Sequence, residues 1–414
     1  MEILKKYKWI LFLGLIIRLV VASFTFHPDV RNNSIVSTII LREHNLNPYD
    51  FADNLKNDDP RKKIYSNEKA DDLPLVYWIN IPVQFIVRPL VDGNIEYQYL
   101  SQIENIFGNP ALFIYLLIIK IQFILFDILL GVLLIFLVED ALKKKILFFW
   151  MFNPVTIWAT AAIGQFDVIP TFFLVLSFYF LERKKIQWAS LSLGLAAAIK
   201  SFSFLIFPFL VFLANSWRER IKLTLIFLIP WIFSVSPYLG SSGFRHNALL
   251  APQLSKILYS KIALSGGEGI LIVPAILIIL YLVYLRQKRG AADFMKFSLS
   301  ALLLVLAFTH FHIQWFLWVT PFLAILLIED SGNYLKWSIG LLGFSLLLML
   351  FLFEPSLQIK LFAPILPLLS NGTGLAEVLG PDRANSLRDM AATIFGGASI
   401  FLVFHQISPK INEK

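Results

Sequence analysis

The chain has 414 residues, of which 57% are hydrophobic and only 15% charged, with 39 Phe and 10 Trp. Water-soluble domains carry roughly 45–50% apolar and about 25% charged residues, so these figures exclude a soluble enzyme, and disorder, collagen and coiled coil with it. Zero cysteines exclude a disulfide framework, a zinc ribbon, an iron–sulfur site and a thiol nucleophile, while the formal charge of +8 fits basic loops on one side of a membrane better than a nucleic-acid surface.

A membrane-crossing helix needs about 20 mostly apolar residues. In chain order, the stretches 8–24, 112–138, 146–163, 168–182, 187–199, 201–214, 219–238, 269–286, 294–309, 313–328, 334–353 and 391–406 predict about twelve spans. Lys5, Lys6 and Lys8 precede the first, which lacks a small-residue cleavage site and reads as an uncleaved span. The pair 187–199 and 201–214 is short. At 1.5 Å per residue such arms reach only about 20 Å, which predicts a re-entrant hairpin with its apex near Lys200 and Ser201. The expected fold class is an all-α, polytopic membrane protein. It forms one domain over 1–414: a large outer loop 25–111, a central bundle 112–353, a late outer loop 354–390, and a last span with a cytoplasmic tail, 391–414.

Basic residues orient these spans. With the N-terminus inside, Lys143–Lys145, Arg183–Lys185, the set Arg218, Arg220 and Lys222, and the set Arg286, Lys288, Arg289 and Lys296 all fall on the cytoplasmic side. The apolar stretch 75–91 must then lie along the interface, consistent with Pro82, Pro89 and Arg88 within it. Both termini are expected in the cytoplasm. Lys-, Ile- and Asn-rich usage suggests a prokaryotic plasma membrane.

Ionisable groups at membrane depth are costly and mark function by default. Most gather on the outer side, where His27, His44, His246, His310 and His312 lie. In "HPDVRNN" (27–33), Pro28 stops the first helix and throws Asp29 onto the rim. There it is a base toward a hydroxyl, a metal ligand, or an ordinary interfacial loop residue. In "GQFD" (164–167), Gln165 and Asp167 suit bidentate hydrogen bonds to a sugar; the alternative is turn chemistry, with Asp167 capping the next helix. Lys200 either snorkels to the interface or meets a buried anion such as phosphate. "FRHNALLAPQLSK" (244–256) offers Arg245 and His246 to phosphate, or is a solvated loop. "FTHFHIQWFLWVTPF" (308–322) places His310, His312 and Gln314 beside Trp315 and Trp318, which exceeds an ordinary aromatic belt. No Walker, G-x-S-x-G or H-E-x-x-H motif occurs.

Taken in order, these motifs resemble the GT-C superfamily of integral membrane glycosyltransferases. The likeness rests on Asp29 after the first span, on "NLNPYDF" (45–51) and "DLPLVYW" (72–78), on "NP…GQFD…GLAAAIK…P" within 152–212, and on "HFHIQWFLWVTP", which is similar to a stretch of the multispanning mannosyltransferases. Asp29 is followed by Val30 and Arg31 where many members have a second acid. The resemblance implies a polyprenyl-phosphate-linked donor, with mannose the leading sugar, and a glycolipid or glycan acceptor at the outer face. Transfer would invert the anomeric centre. It implies Asp29 as base, and Lys200, Arg245, His246 or Arg31 at the donor phosphate. Sugar and acceptor contacts would fall to His27, Tyr77, Gln165, Asp167, His310, His312 and Gln314. A divalent metal, Mg or Mn, stays open; nucleic acid is not an expected partner. The rival readings are a lipid-linked-sugar flippase, which should carry mid-membrane charges on several helices, an O-antigen-type polymerase or ligase relying on loop arginines, and a non-catalytic subunit.

Overall fold

A computed structural model describes residues 5–66, 69–287, 290–329 and 332–407, so Lys288 and Arg289 of the last basic set lie outside the described residues. Helix α1 (Lys8–Phe24) ends where Thr25 takes up extended backbone, and beyond Pro28 the chain turns by 82° into α2 (Asp29–Arg42). The segment 25–111, expected as a loop, is largely helical. After α2 come α3 (Pro48–Asn54), α4 (Pro74–Val87, with Pro82 inside it) and α5 (Gly93–Ser101). The stretch 75–91 is thus a short apolar helix rather than one of the long spans.

The chain continues through α6 (Pro110–Ile135), α7 (Lys143–Met151), α8 (Pro154–Ile157) with its π-helical extension Trp158–Ile163, α9 (Val168–Glu182), α10 (Ile186–Ile199), α11 (Ser203–Val211) and α12 (Trp217–Val235). An antiparallel hairpin of β1 (Lys261–Ala263) and β2 (Gly269–Leu271) pairs Ile262 with Ile270 and is the exception to the all-α expectation. It is followed by α13 (Ile272–Arg286), α14 (Ala291–Phe308), α15 (Thr320–Glu329), α16 (Asn333–Leu352) and α17 (Pro381–Ile407).

Among the described residues five helices are long and apolar enough to cross a bilayer, and counting each bent pair as one span raises this to seven. Length and composition therefore do not reproduce the count of twelve. One expected span is broken, and one arm of the expected re-entrant hairpin is shorter than expected. The stretch 313–328 divides into a 3-10 turn, Ile313–Trp318, and α15; 201–214 contracts to the nine-residue α11. The last helix begins at Pro381 rather than at 391.

Helix α9 packs on α6 and α10, α10 on α12, and α17 on both α14 and α16. The α10–α12 contact depends on Gly194, because a Cβ there would stand 2.2 Å from the Phe227 carbonyl oxygen. Within α1, α6, α7 and α8 sits a polar buckle hidden in apolar runs. Arg18 Nε donates to Asp127 Oδ2 at 2.6 Å and Nη1 to the Met151 carbonyl at 2.7 Å, while Trp150 Nε1 and Thr160 Oγ1 donate to Asp127 at 2.8 and 2.7 Å. Both partners of the pair are fully buried. Lys120, also fully buried, donates to the Ala22, Thr25 and Ala162 carbonyls at 3.2, 2.7 and 2.9 Å. It ties the end of α1 to the π-helical turn. These mid-helix charges are exceptions to the expectation that most ionisable groups gather on the outer side.

Candidate active site

Helices α9 and α10 form an antiparallel pair closed by the basic turn Arg183–Lys185. Their far ends meet again, and there α9 presents Asp167 and α10 presents Lys200. The geometry follows from Gly164, whose φ of 80° lies in the left-handed region, and whose absent Cβ leaves room for Lys120 Cγ at 2.9 Å. This turn sends Gln165 one way and Asp167 the other. Gln165 Nε2 makes a short hydrogen bond to Asp29 Oδ2. Lys200 Nζ donates to Asp167 Oδ1 at 2.7 Å, and Trp318 Nε1 donates to the same oxygen at 2.8 Å. The side chain of Asp167 caps no helix, so the turn-chemistry alternative does not account for it. Its Oδ2 has no hydrogen-bond partner among the described residues.

Asp29 opens the fourteen-residue α2, where the helix N-terminus favours a carboxylate. Almost half of its side chain is accessible (47%), yet packing around the rest raises its pKa above the ordinary carboxylate value. The Gln165 hydrogen bond and Lys200 oppose that rise, and Asp167 adds to it. His27 lies behind it, its Nδ1 3.5 Å from Asp29 Oδ1. Burial lowers His27 to about 4 against the pull of Glu354, with Lys120 adding to the depression. It is therefore a neutral neighbour at pH 7, and its Nδ1 accepts the Asp29 amide at 3.3 Å.

One wall is aromatic. Phe202, Trp318 and Trp315 form a stacked ladder with ring centres 4.3 and 5.0 Å apart. The Lys200 ammonium stands 4.8 Å from the Phe166 ring centre, 5.4 Å from that of Trp315 and 5.5 Å from that of Trp318. His312 adjoins Trp315 at 5.7 Å and is lowered to about 4 by burial, then by Lys256, Lys200 and His310, with Asp167 opposing. His310 lies further out, stacked on Phe353. Gln314 is buried in the same turn but makes no hydrogen bond to Asp29, Asp167 or Lys200 among the described residues.

Several other expected residues belong elsewhere. Tyr77 is buried, and its hydroxyl accepts the Asp72 amide at 3.1 Å, while Tyr49 donates to the Asp72 carbonyl at 2.8 Å. Arg31 is half-buried in the first turn of α2. Arg245 donates to the Leu239 carbonyl at 2.7 Å, and His246 Nδ1 lies 2.9 Å from the Ser242 carbonyl. Arg245 also acts on Asp50. There burial is outweighed by hydrogen bonds from Ser241, the Gly243 amide and Asn47, which with Arg245 hold Asp50 below the usual carboxylate range. The structure does not bring this pair to Lys200.

Sequence reasoning passed over two site residues. Asp72, clamped by Tyr49 and Tyr77, has its pKa raised by burial, then by Asp71. Lys200 opposes the rise, and Asp167 and Asp29 add to it, so Asp72 feels the same field as they do. Lys256 stands 5.4 Å from the Trp315 ring centre. The first carried a signal, an acid directly before the apolar "LPLVYW"; the second carried none. No group of three or more His, Asp or Glu side chains is placed to hold a metal ion among the described residues.

The site is thus two linked couples, Gln165–Asp29 and Lys200–Asp167, on one turn beside an aromatic wall. Residues 107–309 match Glycosyltransferase family 87. This is a GT-C-like integral membrane family, and the match indicates a glycosyltransferase. The matched stretch, a little under half of the chain, holds Gln165, Asp167, Lys200 and Lys256; Asp29 precedes it and His310 and His312 follow it. No curated protein and no solved structure matches the chain.

Proposed function

We propose that the protein transfers a hexose, with mannose the leading candidate, from a polyprenyl-phosphate-linked donor to an acceptor hydroxyl on the extracytoplasmic face of a plasma membrane. The observation that carries this reading is the pairing of Asp29 with Gln165 on the turn that also holds the Lys200–Asp167 couple. A polyprenyl phosphate leaves as a stable anion, so the chemistry asks for a base toward the acceptor and a cation near the departing phosphate rather than for a strong acid. Asp29 supplies the base: it is accessible, and its raised pKa makes it a better proton acceptor than an ordinary aspartate. Gln165 orients its carboxylate. Lys200 faces the phosphate, and Asp167 keeps the ammonium aimed. His312, neutral at pH 7, and the Trp315 face offer a hydrogen-bonding and stacking surface to a sugar ring. Direct attack from the Asp29 side inverts the anomeric centre.

The transporter reading rests on mid-membrane charges. Arg18, Asp127 and Lys120 are such charges, yet each is fully buried and bonded to protein, so they favour a packed scaffold over a path.

The test is transfer by full-length protein in lipid vesicles, comparing wild type with Asp29→Asn on polyprenyl-phosphate mannose and polyprenyl-phosphate glucose. Loss of transfer with donor binding intact supports Asp29 as the base. Unchanged transfer moves the base elsewhere, and no transfer by wild type from either donor defeats the reading.

A further inference from the structure

We infer that Lys256 and Lys200 together form a seat beside Trp315 for the phosphate of a lipid, whose hydrocarbon chain leaves across the exposed apolar side of the β1–β2 hairpin. The inference rests on the transferase reading and names the part of the site that holds the lipid-linked partner.

Both ammonium groups lie 5.4 Å from the centre of the same indole. Cation–π attraction to one ring does not neutralise two like charges. Lys200 has Asp167, whereas Lys256 has no carboxylate partner among the described residues. It is half-buried, and burial followed by the Lys200 charge pushes its pKa down. His312, beside Trp315, is depressed by burial and then by the same two lysines. Two ammonium groups therefore converge on the Trp315 ring beside a neutral His312, and Asp167, the one carboxylate ion-paired there among the described residues, is engaged by Lys200. Such a field is relieved by an anion, and a phosphate ester with several acceptor oxygens suits two point-charge ammonium donors.

The chain that bears Lys256 indicates what kind of phosphate. Just beyond it, Leu258 and Tyr259, leading into the hairpin, are 44 and 67% exposed, and Ile262, Leu264 and Ile270, on the hairpin that runs directly into α13, are 56, 46 and 47% exposed. An apolar surface of this kind marks a lipid or partner contact, and its continuity with the cationic seat fits one amphiphile, with its head at Lys256 and its tail along the hairpin. Arg245 and His246, in the same loop, are instead held at the Leu239 and Ser242 carbonyls, and the Arg245 charge acts on Asp50.

The experiment is equilibrium binding of radiolabelled polyprenyl phosphate to the full-length chain in lipid nanodiscs, with thermal melts confirming that each variant is folded. Lys256→Met is expected to weaken binding about tenfold or more, and Lys256→Arg to stay within about threefold, as the loss and retention of one charged contact require. Unlabelled polyprenyl phosphate should displace the label, while polyprenol and inorganic phosphate at equal concentration should not. Ile262→Asn should weaken the lipid's binding. Equal binding by Lys256→Met overturns the seat. Displacement by polyprenol overturns phosphate recognition, and displacement by inorganic phosphate as effective as by the lipid overturns the role of the hairpin. The two readings fail separately. Lys256-dependent binding by a protein that transfers no sugar defeats the transferase alone, and transfer by a protein whose binding ignores Lys256 defeats the seat alone.

Discussion

The molecule contains two cation–aspartate pairs with nearly equal separations, Arg18–Asp127 at 2.6 Å inside apolar helices and Lys200–Asp167 at 2.7 Å at helix ends. They differ in saturation. Around Arg18 the guanidinium also donates to the Gly14 and Met151 carbonyls and to Thr156, and Asp127 also accepts from Trp150 and Thr160. No surface of either side chain is accessible. Around Lys200 one fifth of the side chain is accessible, its other neighbours are ring faces, and Asp167 Oδ2 is without a hydrogen-bond partner among the described residues. A charge inside a membrane is a functional signal by default. Here charge and separation are common to both pairs, and the unsaturated bonding capacity of one is what separates a site from a buckle.

The same substitution in each pair tests that distinction. Asp127→Asn leaves Arg18 charged and sealed from water, and removing one member of a buried pair costs about 3–5 kcal/mol. Unfolding of the purified variant in detergent should show that loss, and an Arg18→Met/Asp127→Leu double variant should recover most of it. Asp167→Asn keeps the oxygen that accepts from Trp318 and leaves Lys200 able to reach water. Its stability cost should stay below about 1–2 kcal/mol, while transfer falls roughly a hundredfold as the ammonium loses its aim. Equal destabilisation by the two variants would erase the contrast.

Much of the site was legible in the sequence because its parts sit at chain breaks. Pro28 announces the end of α1 and so exposes Asp29, Gly164 announces the turn that aims Gln165 and Asp167, and two arms too short to span mark the apex that holds Lys200. The buckle was not legible for the opposite reason. Arg18, Lys120 and Asp127 each stand inside a long apolar run, where the average over a window conceals a single charge. Nor does a window report the 82° turn after α1 or the helical character of 25–111, since both are set by packing between distant segments. Arg245 and His246 looked suitable for phosphate in the sequence, and Lys256, in the same segment, carried no signal. Only the tertiary arrangement places Lys256 on Trp315, sets Arg245 to act on Asp50 and holds His246 at the Ser242 carbonyl.

A smaller effect sharpens the comparison at Asp167. Trp318→Phe removes the indole N–H that donates to Asp167 and keeps a ring on Phe202 and Trp315. A hydrogen bond to a charged acceptor contributes about 1.5–3 kcal/mol, so transfer should fall about tenfold with little change in the melting temperature. A matching loss of stability would return Trp318 to the scaffold.

The smallest expected effect is a displacement along the pH axis. A base acts only when deprotonated, so transfer should decline as pH falls through the Asp29 pKa, which burial places above the ordinary carboxylate value. His27 and His312, both lowered to about 4, are neutral at pH 7 and contribute no limb of their own near neutrality. Gln165 and Lys200 both favour the ionised form of Asp29. Gln165→Leu therefore removes a stabiliser of the carboxylate, raises the pKa further, and should move the acid limb of kcat/KM to higher pH with a one-proton slope. Saturated Arg18 lies in the other pair, so Arg18→Lys should leave the limb where it is. A limb that moves down in Gln165→Leu, or that steepens to two protons, would mean that the titrating group is not the aspartate Gln165 holds.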